Sequence, residues 1–176
     1  MNHDSYPDDS IRAILSSVKT VAIVGASANN VRPSYFVATY LKSKGYDVLP
    51  VNPGQAGKEI AGLKILSSLR DIGRPVDMVD IFRNSQAAMD AVIETLALDP
   101  LPRVIWMQLR VRNDDAARLA EAKGVKVVMN RCPKIEYARL AGEIGWAGVS
   151  SGFVTAKKPS LAAGIQRFGI APAAKP

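Results

Sequence analysis

Apolar residues along the chain fall into short, nearly continuous runs that alternate with segments in which they recur every three or four positions. The runs predict strands and the spaced segments predict helices. Strands that alternate with helices of this length join in parallel, and their continuous apolar runs indicate burial on both faces. The pattern therefore predicts a doubly wound, mainly parallel α/β sheet with helices on both faces. Its five predicted strands are residues 21–24, 46–53, 76–82, 103–107 and 125–129.

Each predicted helix begins at a residue suited to a helix start, either a short polar side chain that can accept a bond from a free amide or a proline. These residues are Asp9 with Ser10, Pro33, Ser85, Asn113 and Pro133. The second helix is expected to end at Gly45 and to bury one face, and the third to bury another. The two faces are Phe36, Val37, Tyr40 and Leu41, and Ala88, Met89, Val92, Ile93 and Leu96. Residues 54–66 read as a glycine-punctuated loop, with a helical turn near residues 67–71.

Composition changes at both ends of the chain. Residues 1–9 are acidic and polar and are expected to form an N-terminal extension with His3 frayed. Residues 10–151 are predicted to be one domain. Residues 152–176 contain Ala, Gly, Pro and cations but no acid, and we expect a flexible basic tail. Two aromatic residues near the end of the domain, Trp146 and Phe153, are the reason to consider a homodimer.

Several classes of protein are disfavoured by composition. The single Cys132 excludes an internal disulfide, and with one histidine in the chain we expect no metal centre. The acidic start does not resemble a signal peptide, and no apolar run approaches the roughly 18 residues of a membrane span, so a cytoplasmic location is expected. The net charge is +7, and four cationic residues of the tail contribute +4 to it. Because these cations are not clustered with aromatic residues, nucleic-acid binding is not expected.

The loop after the first predicted strand has the features of an anion site. Gly25, Ala26 and Ser27 are small enough to let the backbone approach a ligand, and the next helix directs its free amides and positive end to the same place. Arg32 and Ser34 add a charge and a hydroxyl. The alternative is a tight strand-to-helix turn that binds nothing, and the residues alone leave both open.

The second strand argues against the usual dinucleotide. An NAD site commonly has Asp or Glu at this strand end to bind the ribose, whereas this chain has Asn52 and Pro53. Arg83, just after the third strand, could instead pair with an additional phosphate. An NAD(P)-dependent oxidoreductase or redox sensor remains the alternative interpretation.

Five segments in the same order, VAIVGASANNVRPSY, GYDVLPVNP, VDMVDIFR, VIWMQL and VVMNRCPKIEYARL, resemble small stand-alone coenzyme A-binding proteins. The Rossmann-like domain of that family is similar to the CoA-binding domain of succinyl-CoA synthetase α-subunits and ADP-forming acyl-CoA synthetases. The resemblance covers about residues 11–151. It implies that this chain binds CoA or an acyl-CoA at the carboxyl ends of its strands.

The resemblance also implies where parts of CoA would lie. The pyrophosphate would contact the loop of Gly25, Ala26 and Ser27 together with Arg32, Pro33 and Ser34. Asn52 and Pro53 would border the nucleotide, and Phe82 and Arg83 would flank the adenine and the ribose phosphate. The crevice of the pantetheine arm would be lined by Trp106, Met107, Gln108, Asn130, Arg131 and Cys132.

Two features limit what the resemblance implies. The family pattern after the fourth strand often runs Gln-hydrophobic-Gly-Val, but this chain has Arg110 in place of the glycine. The related synthetases also need a phosphorylated histidine and a further domain, which this chain does not supply. Cys132 is the one candidate nucleophile: Arg131 and a helix start would favour its thiolate, yet a buried inert cysteine is the commoner outcome. We therefore expect a binding protein without catalytic residues.

Overall fold

The computed structural model describes residues 2–143. Its main sheet has five strands, all parallel, in the spatial order β2-β1-β5-β6-β7. These strands are β1 Thr20–Val24, β2 Asp47–Val51, β5 Met78–Ile81, β6 Val104–Met107 and β7 Lys126–Val128. The intervening strands β3 Glu59–Ile60 and β4 Leu63–Lys64 form a short antiparallel hairpin. The five strands predicted from the apolar runs are confirmed.

Within residues 2–143, five helices cover the two faces of the sheet: α1 Asp8–Ser17, α2 Pro33–Ser43, α3 Ala88–Thr95, α4 Asp114–Glu121 and α5 Pro133–Leu140. Buried residues of α1, α2 and α5 pack in one core with Val21, Ile23 and Trp106. Those of α3 and α4 pack in a second core on the opposite face. The expectation of a doubly wound, Rossmann-like sheet is therefore confirmed.

The strand order determines where a ligand can bind. From β1 the chain passes first to β2 on one side and later to β5 on the other, so the order reverses between β1 and β5. Helices leave the sheet in opposite directions at such a point, and a crevice opens beyond the carboxyl ends of the two strands. The loops after β1, β2, β5, β6 and β7 all meet at this edge.

The segment that was expected to be an open loop protects the edge of the sheet. Leu66 forms an isolated parallel bridge with Val51, and its amide donates to the carbonyl of Pro50 at 2.9 Å. Pro50 itself has no amide hydrogen to donate, which suits its place in the edge strand β2. The β3–β4 hairpin continues this cover, so β2 does not present a free edge.

Some local predictions are wrong. Helix α1 begins at Asp8 after Pro7, with no side-chain cap, so Asp9 and Ser10 lie inside the helix. Ser85 does not cap α3; instead the side chain of Asn84 accepts from the amide of Ala87 at 2.8 Å. Asn113 caps α4 as predicted. On the two faces expected to be buried, Phe36 is 50% exposed and Ile93 is 52% exposed.

The N-terminal segment packs against the domain. The hydroxyl of Tyr6 accepts a hydrogen bond from the amide of Met129 at 2.8 Å, next to the end of β7. His3 lies 2.9 Å from the same hydroxyl, and its side chain is only 8% exposed. The expectation of a frayed His3 is therefore wrong. The predicted tail and the aromatic pair Trp146 and Phe153 lie outside the described residues.

Candidate functional site

The loop after β1 passes unusually close to the neighbouring strand. Gly25 has a φ of +88°, and a Cβ atom placed on it would lie 2.3 Å from the carbonyl oxygen of Phe82. No real Cβ contact is that short, so this position excludes any larger residue. The amides of Gly25 and Ala26 both donate to the carbonyl of Val51. Gly25 is thus required by the packing of β1, β2 and β5, whether or not a ligand is present.

A set of side-chain hydrogen bonds holds the loop in shape. Gln55 accepts from the amide of Ala28 at 2.8 Å through Oε1 and donates to the hydroxyl of Ser27 at 3.2 Å through Nε2. Asn52 donates to the carbonyl of Ala26 at 2.7 Å and accepts from the amide of Gly54. Ser27 and Asn52 therefore build the loop, whereas the sequence suggested that they contact a ligand. Sequence analysis did not predict this role of Gln55, because no local sequence pattern distinguishes a glutamine of a 3₁₀ turn that bonds a distant loop.

The start of α2 faces the same edge. Arg32 is the N-cap and makes no capping bond through its side chain, Pro33 occupies the first turn, and Ser34 is buried. The first amides of a helix have no partner within it, and the aligned peptide dipoles make this end positive. The predicted grouping of Arg32, Pro33 and Ser34 beside the glycine loop is present in the structure.

Two arginines at this edge keep a charge that no carboxylate among residues 2–143 neutralises. Six arginines of the described chain pair with carboxylates: Arg74, Arg103, Arg112, Arg118, Arg131 and Arg139. Arg32 and Arg83, in contrast, form no ion pair within residues 2–143. Arg32 is exposed and Arg83 is half-buried, so both guanidinium groups are open to a ligand. Both arginines belong to loops at the carboxyl edge of the sheet, one before α2 and one after β5.

The predicted neighbours of the nucleotide stand at the ends of β2 and β5. Pro53 is exposed and opens the 3₁₀ turn that contains Gln55. Phe82 is half-buried, and its amide donates to the carbonyl of Val24 at 2.8 Å. The crossover of Gly25 over Phe82 places the backbone and Cβ of Phe82 next to the glycine loop.

The predicted lining residues of β6 separate into two groups. Met107 is fully buried in the core beneath α3 and α4, so the expectation that it lines the crevice is wrong. Gln108 is 6% exposed and donates through Nε2 to both carboxyl oxygens of Asp80, at 3.0 and 2.9 Å. Asp80 has no exposed surface and lies in the middle of β5. Its burial raises the pKa of Asp80 well above the usual range, although the bond from Gln108 opposes the rise.

The turn after β6 explains the unusual Arg110. Arg110 has a φ of +66°, a left-handed conformation that glycine adopts with less strain. Its amide donates to the side chain of Asn130 at 2.8 Å, and Asn130 itself has a φ of +54°. Asn130 therefore fixes this turn. The family that the sequence resembles often has glycine at the position of Arg110, and the positive φ of this position explains that preference.

Cys132 is the N-cap of α5 and is buried, 7% exposed. Burial raises the pKa of this thiol, and nearby Asp80 adds to the rise, while the amides of Ile135 and Lys134 oppose it. The helix start does lower the pKa, as expected, but burial outweighs it, so the alternative of a buried, protonated cysteine is supported. The carbonyl of Arg131 accepts from the indole of Trp106 at 2.8 Å, which anchors the start of α5 to the sheet.

Two surface clefts lie away from this edge. One of about 520 Å³ runs along α3 beside Ser68, Arg70 and Glu94, and one of about 370 Å³ lies at the amino ends of β1 and β2. Neither cleft includes a residue of the β1 loop or Gln108. Both lie outside the position at which parallel sheets of this order bind ligands.

A parallel sheet with this reversal of strand order, a glycine loop before a helix start and arginines at the same edge that have no ion pair in residues 2–143 is typical of nucleotide-binding domains. The family model of the CoA binding domain matches residues 19–138. The chain belongs to the CoA-binding domain family.

Relatives of known sequence and structure match about three quarters of this chain over nearly their whole length. The chain is 35% identical to YneT of Bacillus subtilis (strain 168) over 128 residues, which are 73% of this chain and 92% of that protein. A solved protein from Thermus thermophilus is 40% identical with a TM-score of 0.72 and covers 77% of this chain and 99% of its own. One from Pyrococcus horikoshii OT3 is 35% identical with a TM-score of 0.72, over 80% and 96% of the two chains.

Residues 2–143 contain no helix that is long and apolar enough to cross a membrane.

Within the same described range, no three His, Cys, Asp or Glu side chains are grouped so that they could hold a metal ion.

We expect Gly25→Ala to destabilise the protein by roughly 3 kcal/mol. The new methyl group would have to displace the Phe82 carbonyl, and the alanine backbone would have to adopt a left-handed conformation. Gly45→Ala is the matched control: it has a φ of +87° but nothing within 4 Å of the added Cβ, and about 1 kcal/mol is expected. Urea unfolding followed by circular dichroism measures both. Equal effects would show that the approach to Phe82 is not the constraint.

We expect Asp80→Asn to change how stability depends on pH. Since the folded pKa of Asp80 is raised, its favourable contribution is complete below its unfolded value of about 4 and is lost as the pH rises through the folded value. Relative to the wild type, Asp80→Asn should therefore gain stability as the pH rises from about 4 towards the folded pKa of Asp80. Urea unfolding across that range measures the difference, and parallel profiles of the two proteins would contradict it.

Proposed function

We propose that the protein binds coenzyme A or an acyl-CoA at the carboxyl edge of its sheet, in a binding or sensing role without catalysis. The observation that supports this best is the preformed Gly25–Ser27 loop at the start of α2, with unpaired Arg32 and Arg83 beside it. Membership of the CoA-binding domain family supports the identity of the ligand. The pyrophosphate is assigned to the loop and the helix start.

The charges of CoA suit this arrangement. CoA carries a pyrophosphate and a separate phosphate on its ribose, whereas NAD carries the pyrophosphate alone. Arg32 precedes α2 and Arg83 follows β5, so the two guanidinium groups belong to neighbouring loops of the crevice. We assign Arg83 to the ribose phosphate because a guanidinium can bind phosphate oxygens in a bidentate manner.

The end of β2 further favours CoA over NAD. No carboxylate stands there to bind ribose hydroxyls, and both polar atoms of the Asn52 side chain are already bonded to the backbone of Ala26 and Gly54. Asn52 thus cannot take the place of the missing acid without giving up the bonds that shape the loop.

The absence of catalysis is part of the proposal. Cys132 is buried with a raised pKa, and Glu136 on the same helix is held by Arg139 at 2.7 Å and Arg131 at 3.6 Å. A nucleophile needs a neighbouring base or a lowered pKa, and this pair offers neither. In a sensing role, a protein partner would recognise the CoA-bound form of this protein.

The test is isothermal titration of the reduced protein with CoA, dephospho-CoA and NAD in parallel. We expect CoA to bind more tightly than dephospho-CoA, and NAD to bind weakest. Arg32→Ala and Arg83→Ala should each weaken CoA binding about tenfold, since each removes a charge-assisted hydrogen bond to phosphate.

The matched control is Arg70→Ala, which removes another arginine that lacks an ion pair among residues 2–143 but lies in the cleft beside α3. Its CoA affinity should equal that of the wild type. If Arg83→Ala weakened CoA and dephospho-CoA equally, the assignment of Arg83 to the ribose phosphate would be wrong. Binding of NAD without CoA would favour an oxidoreductase or redox sensor instead.

A further inference from the structure

The side chains of Asp80 and Gln108 form a buried polar pair in the interior of the sheet. Asp80 stands between Ile23 of β1 and Trp106 of β6 in the strand register, with no exposed surface. An apolar residue would suit this central position better, because a carboxyl group loses its hydration there. The side chain of Gln108, just past β6, supplies both hydrogen bonds that Asp80 receives.

This pairing determines which end of the Gln108 amide faces outward. Both hydrogen bonds of the side chain run from Nε2, and both end on Asp80. Across residues 2–143, every fully buried side-chain nitrogen or oxygen has a hydrogen-bond partner. Since Oε1 makes none of the bonds of Gln108, it must belong to the 6% of this residue that is exposed to solvent. A hydrogen-bond acceptor is therefore presented at the carboxyl end of β6.

The outward oxygen lies within reach of a ligand held by the first loop. Neighbouring strands are about 4.8 Å apart, so β6 is about 10 Å from β1 across β5. A ligand anchored by its pyrophosphate at the β1 loop would cross the end of β5 before it reaches Gln108. The part of CoA that follows its pyrophosphate is an arm with two amide N–H groups, which are donors.

We propose that Asp80 is a positioning residue that holds the amide of Gln108 with its nitrogen inward, so that Oε1 accepts a hydrogen bond from an amide N–H of the pantetheine arm. This inference rests on the proposed function and adds a second determinant of specificity to it. The phosphates would be read by Arg32, Arg83 and the loop, and the arm would be read by Gln108. A nucleotide without the arm would not depend on Asp80 or Gln108.

The test compares two ligands, CoA and adenosine 3′,5′-diphosphate, which keeps the adenosine, the 3′-phosphate and one phosphate of the pyrophosphate but lacks the arm. Gln108→Met retains the length of the side chain and removes the acceptor. We expect it to weaken CoA binding about five- to tenfold and to leave adenosine 3′,5′-diphosphate unchanged. Asp80→Leu should give the same pattern, because the amide of Gln108 loses the group that orients it.

Asp80→Asn is the rescue variant, since its carboxamide oxygen can still accept from Nε2 of Gln108. Its affinity for CoA should stay within about twofold of the wild type. Binding of adenosine 3′,5′-diphosphate also reports whether each variant has folded with an intact first loop. If Asp80→Leu does not fold, Gln108→Met and Asp80→Asn still decide the question.

The outcomes separate this inference from the proposed function. Equal losses for both ligands would show a purely structural role, and unchanged CoA binding in Gln108→Met would show that Oε1 makes no contact; either result overturns the inference alone. If the wild-type chain binds CoA no better than adenosine 3′,5′-diphosphate, the arm is not read and the inference is again wrong. If the wild type binds neither ligand, the proposed function fails and the inference fails with it.

Discussion

The close passage of Gly25 across the carbonyl of Phe82 is the constraint on which the rest of this edge depends. It lets β1 end directly against β5 while the amides of Gly25 and Ala26 both donate to Val51 of β2. The ends of β1, β2 and β5 are thereby joined at one point, and the chain leaves the sheet there to enter α2. The free amides of that helix and the two loops that carry Arg32 and Arg83 then lie at the same carboxyl edge of the sheet. A loop that was not locked in this way could not present them together.

The structure separates residues that build the site from residues that are available to a ligand. Ser27, Asn52 and Asn130 have the composition of ligand-binding positions, yet their side chains are used to hold the loops in place. Arg32 and Arg83 have no carboxylate partner within residues 2–143, so their charge is available. This division of roles is common where a rigid scaffold positions binding loops, because a preorganised loop does not have to be ordered again when the ligand binds.

Polar groups in the core identify the less obvious constraints. Asp80 is costly to bury, and a position in the central strand gives it no solvent to compensate. Arg110 is held at a positive φ that suits glycine better, with its amide bonded to Asn130. Local features that conflict with the surrounding fold are more often connected with function than with stability. Asp80 lies opposite Trp106 of β6, and Arg110 follows the end of that strand.

The apolar pattern of this sequence by itself determined the strands, the helices and the doubly wound sheet, because burial on two faces leaves near-continuous apolar runs that few other folds produce. It also located the candidate site at the strand ends, since parallel topology brings those ends together. Side-chain partners could not be read in this way. Gln55, Asp80 and the exposed Phe36 depend on residues distant in sequence. Helix α3 has no side-chain cap, and Asn84 rather than Ser85 accepts from the amide of Ala87 just before it. Only the tertiary structure decided these points, because burial and hydrogen bonding depend on what the folded chain places opposite each side chain.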